Sequence, residues 1–172
     1  AIENVRLFEE LQARTHELSG ALEQQTATAE VLGIISSSPS DLDPVFQAML
    51  ANATRICEAK FGVLFEYADG KFRALSSLGV PPGFAEYLSM PRVWSPDTGL
   101  GRIAGTMQIV HIADTHDDPA YAQHDPDRLA SIDLGGVRSF LGVPMLKDGA
   151  LVGAIVIFRQ EMRPFADRQM AL

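Results

Sequence analysis

The stretch VRSFLGVPMLKDGALVGAIVIFRQ, residues 137–160, constrains the fold more than any other part of the chain. Two apolar runs of strand length flank Lys147-Asp148-Gly149, and a glycine-containing turn between such runs marks an antiparallel hairpin. Its second arm, residues 150–158, is apolar at every position, whereas a strand with one wet face alternates. The hairpin is therefore expected at the centre of a sheet that is covered on both faces. The remaining sequence has to supply two different covers.

Helices at the termini can supply one. Residues 1–37 contain no proline and two glycines and are rich in the helix formers Glu, Gln, Ala and Leu. A heptad frame puts Phe8, Thr15, Leu22 and Ala29 at one seam position and Leu11, Leu18, Gln25 and Leu32 at the other, a coiled-coil pattern diluted by Thr15 and Gln25. At ~1.5 Å per residue this helix spans roughly 50 Å, too long for the flank of one small domain. A homodimer seam through Phe8, Leu11, Leu18, Leu22 and Leu32 is expected; the alternative is an amphipathic helix packed only on its own domain. Ser36-Ser37-Ser38-Pro39 ends the helix. Asp41 or Asp43 can cap the next one, Pro44 suits its first turn, and Val45, Met49 and Ile56 lie on its apolar stripe.

Residues 61–67 and 71–78 read as a second hairpin around Ala68-Asp69-Gly70. After it come a short amphipathic piece closed by Pro91, a helix over 100–107 capped by Asp97 or Thr98, and a strand over 108–113. The acidic loop DTHDDPAYAQHDPD follows at 114–127, and a helix over 128–134 stops at Gly135-Gly136. With the terminal helices on one face of the sheet, this irregular middle, 79–136, is left for the other. A long irregular insertion over an apolar sheet face marks a binding site.

Fourteen Lys+Arg against 22 Asp+Glu give a net charge of −8 with the basic residues scattered, which argues against nucleic acid as a direct partner. The one cysteine, Cys57, rules out an internal disulfide framework and fits a reducing compartment. No apolar run reaches the ~18 residues of a membrane span, so a cytoplasmic location is expected. The chain starts and stops inside helical patterns, at 1–8 and 166–172, which points to a piece of a longer protein whose last helix is cut short.

Several segments together carry a resemblance. They are the paired strands after Cys57-Glu58-Ala59, PDTGLGRIAGTM at 96–107, VHIAD at 110–114, the final hairpin, and RPFADRQMAL at 163–172. Over about residues 40–172 the sequence resembles GAF domains, the sensory modules of phosphodiesterases, phytochromes and bacterial signalling kinases. The opening AIENVRLFEELQARTHEL is similar to connector helices of bacterial sensor histidine kinases, often placed between tandem GAF domains. The resemblance implies an α+β fold: a six-stranded antiparallel sheet, terminal helices on one side forming a dimer bundle, and short helices and loops enclosing a small-molecule pocket on the other. It divides the chain into a signalling helix, 1–38, and a GAF domain, 39–172. It also implies an effector, a histidine kinase transmitter, in the same full-length chain.

The candidate ligand-binding residues are Trp94, Leu100, Arg102, His111, Tyr121, Arg138 and Phe140. Trp94, Tyr121 and Phe140 can line a pocket, and Arg102 or Arg138 can hold an anion through two donors. Each aromatic could equally be core and each arginine could meet a local carboxylate. His111 lies within a strand and is either a hydrogen-bonded structural histidine or a ligand-contacting or haem-ligating one. Gly99-Leu100-Gly101-Arg102-Ile103-Ala104 matches a dinucleotide fingerprint as a string, but no strand runs into it, so its glycines are assigned to a tight loop and a close-packed helix. The histidines and aspartates of 111–127 lack the spacing of a metal site and read as a solvated acidic loop.

Cys57 precedes the first strand, away from the insertion, so neither a bilin tether nor thiol-based reduction of methionine sulfoxide is expected. The cyclic-nucleotide signature is not present as a set. No nucleophile elbow or P-loop occurs, and the domain is not expected to be an enzyme. The expected function is regulatory input to a signal-transduction protein, with a ligand-free dimerisation spacer and a haem sensor as alternatives.

Overall fold

Both hairpins close on Asp-Gly pairs in the left-handed region, with φ of 53° and 74° at Asp69 and Gly70 and 52° and 76° at Asp148 and Gly149. That two-residue turn has the twist that paired strands need, and glycine takes the second position without strain. In the computed structural model, which describes residues 3–17 and 42–171, the first turn joins β1 (Phe61–Ala68) to β2 (Lys71–Leu78) and the second joins β4 (Ser139–Lys147) to β5 (Ala150–Arg159). With β3 (Val110–Ile112) they make a five-stranded antiparallel sheet in the order β2-β1-β5-β4-β3.

The apolar arm is the central strand, as its composition requires. Among the described residues its burial is continuous only toward the Arg159 end; Leu146 and Val152, near the turn, are exposed. The sixth strand implied by the family resemblance is reduced to one bridge beside β2. Phe72 and Arg92 exchange both backbone hydrogen bonds at 3.0 Å.

Period-two alternation sends neighbouring side chains to opposite covers. Gly62, Leu141, Ile157 and Arg159 face α2 (Asp43–Ile56) and α7 (Asp167–Met170), where Leu50, Ala53, Thr54, Cys57 and Phe165 pack. Val63, Phe65, Phe140, Val156 and Phe158 face the other way. They meet α3 (Pro82–Ser89), α4 (Gly99–Thr106) and the loops that carry Trp94 and Val137. On that side a 3-10 turn (Thr115–Asp117), α5 (Pro119–Ala122) and α6 (Pro126–Gly135) complete the lid.

Residues 3–17 form a separate helix, α1, in which Phe8 and Leu11 are both more than 60% exposed. Leu18, Leu22 and Leu32 of the expected seam, and the break at 36–39, lie outside the described residues. No described helix is long and apolar enough to cross a membrane.

Candidate functional site

The site lies between the sheet and α3, α4 and α6. Its floor is Val63 and Phe65 of β1, Val156 and Phe158 of β5, and Phe140 of β4; its roof is Phe84, Leu88, Leu100, Trp94, Val137 and the α6 residues Arg128 and Ser131. The free space is small, about 40 Å³. A space of that size admits a few waters or a very small molecule.

Local sequence chemistry fixes the roof. Thr98 caps α4 by accepting the Gly101 N–H at 3.2 Å while its hydroxyl donates to the Ser95 carbonyl at 2.6 Å. Gly101 has to be glycine, because a Cβ there would land on that same carbonyl. Gly99 leaves room for the Phe140 ring and Gly142 for Ile103, so α4 sits directly on β4. The glycines of the dinucleotide-like string thus serve close packing. Asp125 caps α6 by accepting the Arg128 N–H at 3.0 Å, with Pro126 in the first turn.

Two ion-pair clusters lock the lid. Asp118 is buried and accepts from Arg128 Nη2 at 2.6 Å and from Arg102 Nη2 on its other oxygen. Burial pushes the Arg128 guanidinium down from its ordinary value, and the Asp118 charge opposes that. Asp127 Oδ1 accepts the Tyr87 hydroxyl at 2.6 Å and Arg92 Nη1 at 3.1 Å, and the Arg92 guanidinium stacks 3.7 Å above the Tyr87 ring. Burial, with the Asp127 hydrogen bond and charge, pushes the Tyr87 phenol up to about 12. The indole N–H of Trp94 and the Nε–H groups of Arg92 and Arg128 are buried with no acceptor among the described residues.

Of the seven sequence-predicted site residues, Trp94, Leu100 and Phe140 line this cavity. Arg102 stands outside its lining, paired with Asp118. Tyr121 packs edge-to-face on His116 at 5.0 Å. Arg138 holds Asp114 through two donors, Nε at 3.0 Å and Nη2 at 2.6 Å, and that pairing lowers the Asp114 carboxyl to about 2.

His111 belongs to the opposite face. Its Nε2 accepts the Phe165 N–H at 3.1 Å and its ring meets Phe165 edge-on, so the nitrogen that would ligate a haem iron is engaged in docking the C-terminal segment. The acidic loop is not solvated throughout: Asp118 is a buried anchor and Asp114 a paired one. The lining residues absent from the sequence-predicted set include Arg128, Asp127, Phe84 and Leu88. Nothing local marks Arg128, because its partner Asp118 lies ten residues away across a turn.

A family model for the GAF domain matches residues 41–172. The chain belongs to the GAF family. Three solved structures show the shared fold. The GAF domain/HD domain protein from Geobacter sulfurreducens has a TM-score of 0.62 at 21% identity, over 78% of this chain and 86% of that one. The GAF domain of a phosphoenolpyruvate-protein phosphotransferase from Coxiella burnetii has 0.58 at 22% identity, over 88% and 86%. A domain of a putative two-component sensor histidine kinase from Sinorhizobium meliloti 1021 has 0.58 at 16%, over 74% and 79%. Comparison with curated proteins gives no match. GAF domains are in general regulatory, ligand-binding modules.

Proposed function

We propose that this GAF domain is the cytoplasmic input module of a sensor histidine kinase. A small molecule seated under the lid, or a partner acting on it, biases terminal helices paired with a second copy of the chain, and an effector in the same full-length protein reads the change. The observation that carries this reading is the cavity itself, an apolar chamber between the sheet and the lid. A group that occupied the chamber would cover its apolar wall, and a difference of a few kcal/mol in affinity between two lid positions is enough to shift the population. The exposed Phe8 and Leu11 on α1 support pairing through the heptad seam.

A thermal-shift screen against purines, cyclic nucleotides, haem and small organic acids tests the sensory reading. A saturable rise in melting temperature supports it, because only a ligand that prefers the folded form produces one. The second reading, a dimerisation spacer, is favoured by the small size of the chamber and by the ring of Phe140, which is 7% exposed and fills much of the space beside Gly99. A flat screen, with dimerisation intact, selects the spacer.

A further inference from the structure

The surface that the chamber presents restricts what it can hold. Resting on the sensory reading, we propose that its ligand is an uncharged, hydrocarbon-like molecule of a few non-hydrogen atoms, held by contact with Val63, Leu100, Phe140 and Val156 and admitted past Trp94 and Asp127.

The chamber is apolar because its polar wall residues turn their functional atoms into the protein. The hydroxyls of Thr98 and Ser131 donate to the carbonyls of Ser95 and Arg128, at 2.6 and 2.7 Å. Arg128 spends Nη2 on Asp118, and its Nε and the Trp94 indole nitrogen are buried, so neither gives the chamber any polar surface. Asp127 accepts twice on Oδ1, from Tyr87 and Arg92, and its Oδ2 has no partner among the described residues. That oxygen repels an anion at the rim. An ion of either sign would trade its hydration for aromatic rings and branched aliphatic chains, at a cost that apolar contact does not return.

Water is also a poor occupant, because it needs several polar partners, whereas an apolar cavity stays dry and takes up apolar guests. Atoms around such a void lack contacts on one side, and a guest that fills it restores them. The free space of about 40 Å³ limits that guest to a few non-hydrogen atoms. The ring of Phe140 bounds it, occupying the room that Gly99 leaves on α4. Every other wall residue is buried, so the chamber meets solvent at Trp94 and Asp127. Beside that opening Arg92 ties α3 to α6, bonding the Tyr87 carbonyl at 3.1 Å and Asp127 at 3.1 Å.

The full chain, labelled at its leucine and valine methyls, is titrated under pressure with xenon, ethane, propane and butane, and at constant ionic strength with ethylammonium chloride and sodium acetate. Xenon and the alkanes are expected to shift the methyls of Val63 and Leu100 saturably, and emission from Trp94, the single tryptophan, should change in parallel. Amide exchange in α3 and α6 should slow as the lid settles on its guest. Affinity should tighten about fourfold per added methylene until the chamber is full, and the two ions should bind at least about tenfold more weakly than propane. Val156→Ile adds a methylene inside the chamber and should weaken xenon by about tenfold. Phe140→Leu enlarges the space and should move the tightest alkane to a longer chain. Val156→Ile keeps the test decisive if Phe140→Leu does not fold.

Acetate or ethylammonium binding as tightly as propane overturns the apolar assignment and leaves the sensory reading standing. Methyl shifts with unchanged exchange in α3 and α6 show a void filled without a lid response, and overturn the guest as a signal. Full xenon affinity in Val156→Ile overturns the chamber as the site. Silence from xenon and every alkane overturns the ligand class, and the sensory reading falls with it only if the broader screen is also silent.

Discussion

Phe158 and Arg159 are consecutive on the central strand and serve opposite faces of the sheet. Phe158 lines the cavity, while Arg159 donates from Nη2 to the Cys57 carbonyl at 2.5 Å and from Nη1 to the carbonyls of Arg163 and Pro164 at 2.5 and 3.0 Å. Its guanidinium also lies 4.1 Å from the centre of the Phe165 ring. One buried side chain thus joins the end of α2 to the segment leading into α7, one peptide unit from the chamber. No carboxylate pairs with it among the described residues, so its charge is balanced by carbonyl dipoles and an aromatic face.

Arg159→Met is expected to cost about 2–4 kcal/mol in urea unfolding, since it removes charge-assisted bonds and leaves buried carbonyls unpaired. Amide hydrogen exchange across residues 163–170 should accelerate more than in β4. A loss below about 1 kcal/mol would show that the carbonyl contacts carry little.

The docking of the C-terminal segment should also depend on pH. His111 Nε2 must be unprotonated to accept the Phe165 N–H, and burial first, then the Arg159 charge, holds its pKa below the ordinary 6.5, while the Asp167 charge opposes this. The unfolded chain therefore takes up the proton first. The stabilisation is complete above about pH 6.5 and is lost as pH falls through the lower folded value. His111→Gln should flatten the slope of stability against pH between about 7 and 5, measured by urea titration at each pH. An unchanged slope would assign the dependence to other groups.

Asp118→Asn leaves the Arg128 charge buried and uncompensated, and is expected to destabilise the domain by about 3–5 kcal/mol. Arg102→Met removes the other partner of Asp118, but Arg102 is about a third exposed, so the expected loss is within about 1 kcal/mol. Equal losses in the two variants would contradict the burial difference between the two arginines.

Polar replacement of Leu11, Leu18 and Leu22 together should shift the chain from dimer to monomer in light scattering while leaving the thermal transition of residues 42–171 nearly unchanged. An unaltered mass would sink pairing through this seam.

Much of the fold was legible because its signals are local. Asp69-Gly70 and Asp148-Gly149 announce their turns, Thr98 its helix cap, and the apolar run after residue 150 its central place. Site residues were legible where a bulky apolar side chain falls on the lid side of the sheet, as with Phe140, or in the insertion over it, as with Trp94 and Leu100. For His111 the sequence left a structural and a ligand-contacting role open: one residue of strand register decides which cover it meets, and it meets Phe165.

By itself the sequence determined the antiparallel hairpins, the two unlike covers and the family, since turn chemistry, period-two patterning and helix caps act over a few residues. Tertiary structure alone decided which charges are buried. Asp118 and Asp117 are neighbours in one acidic run, yet one is an anchor for Arg128 and the other is exposed. Burial of a charge depends on a partner brought across the fold, and no local pattern encodes that partner.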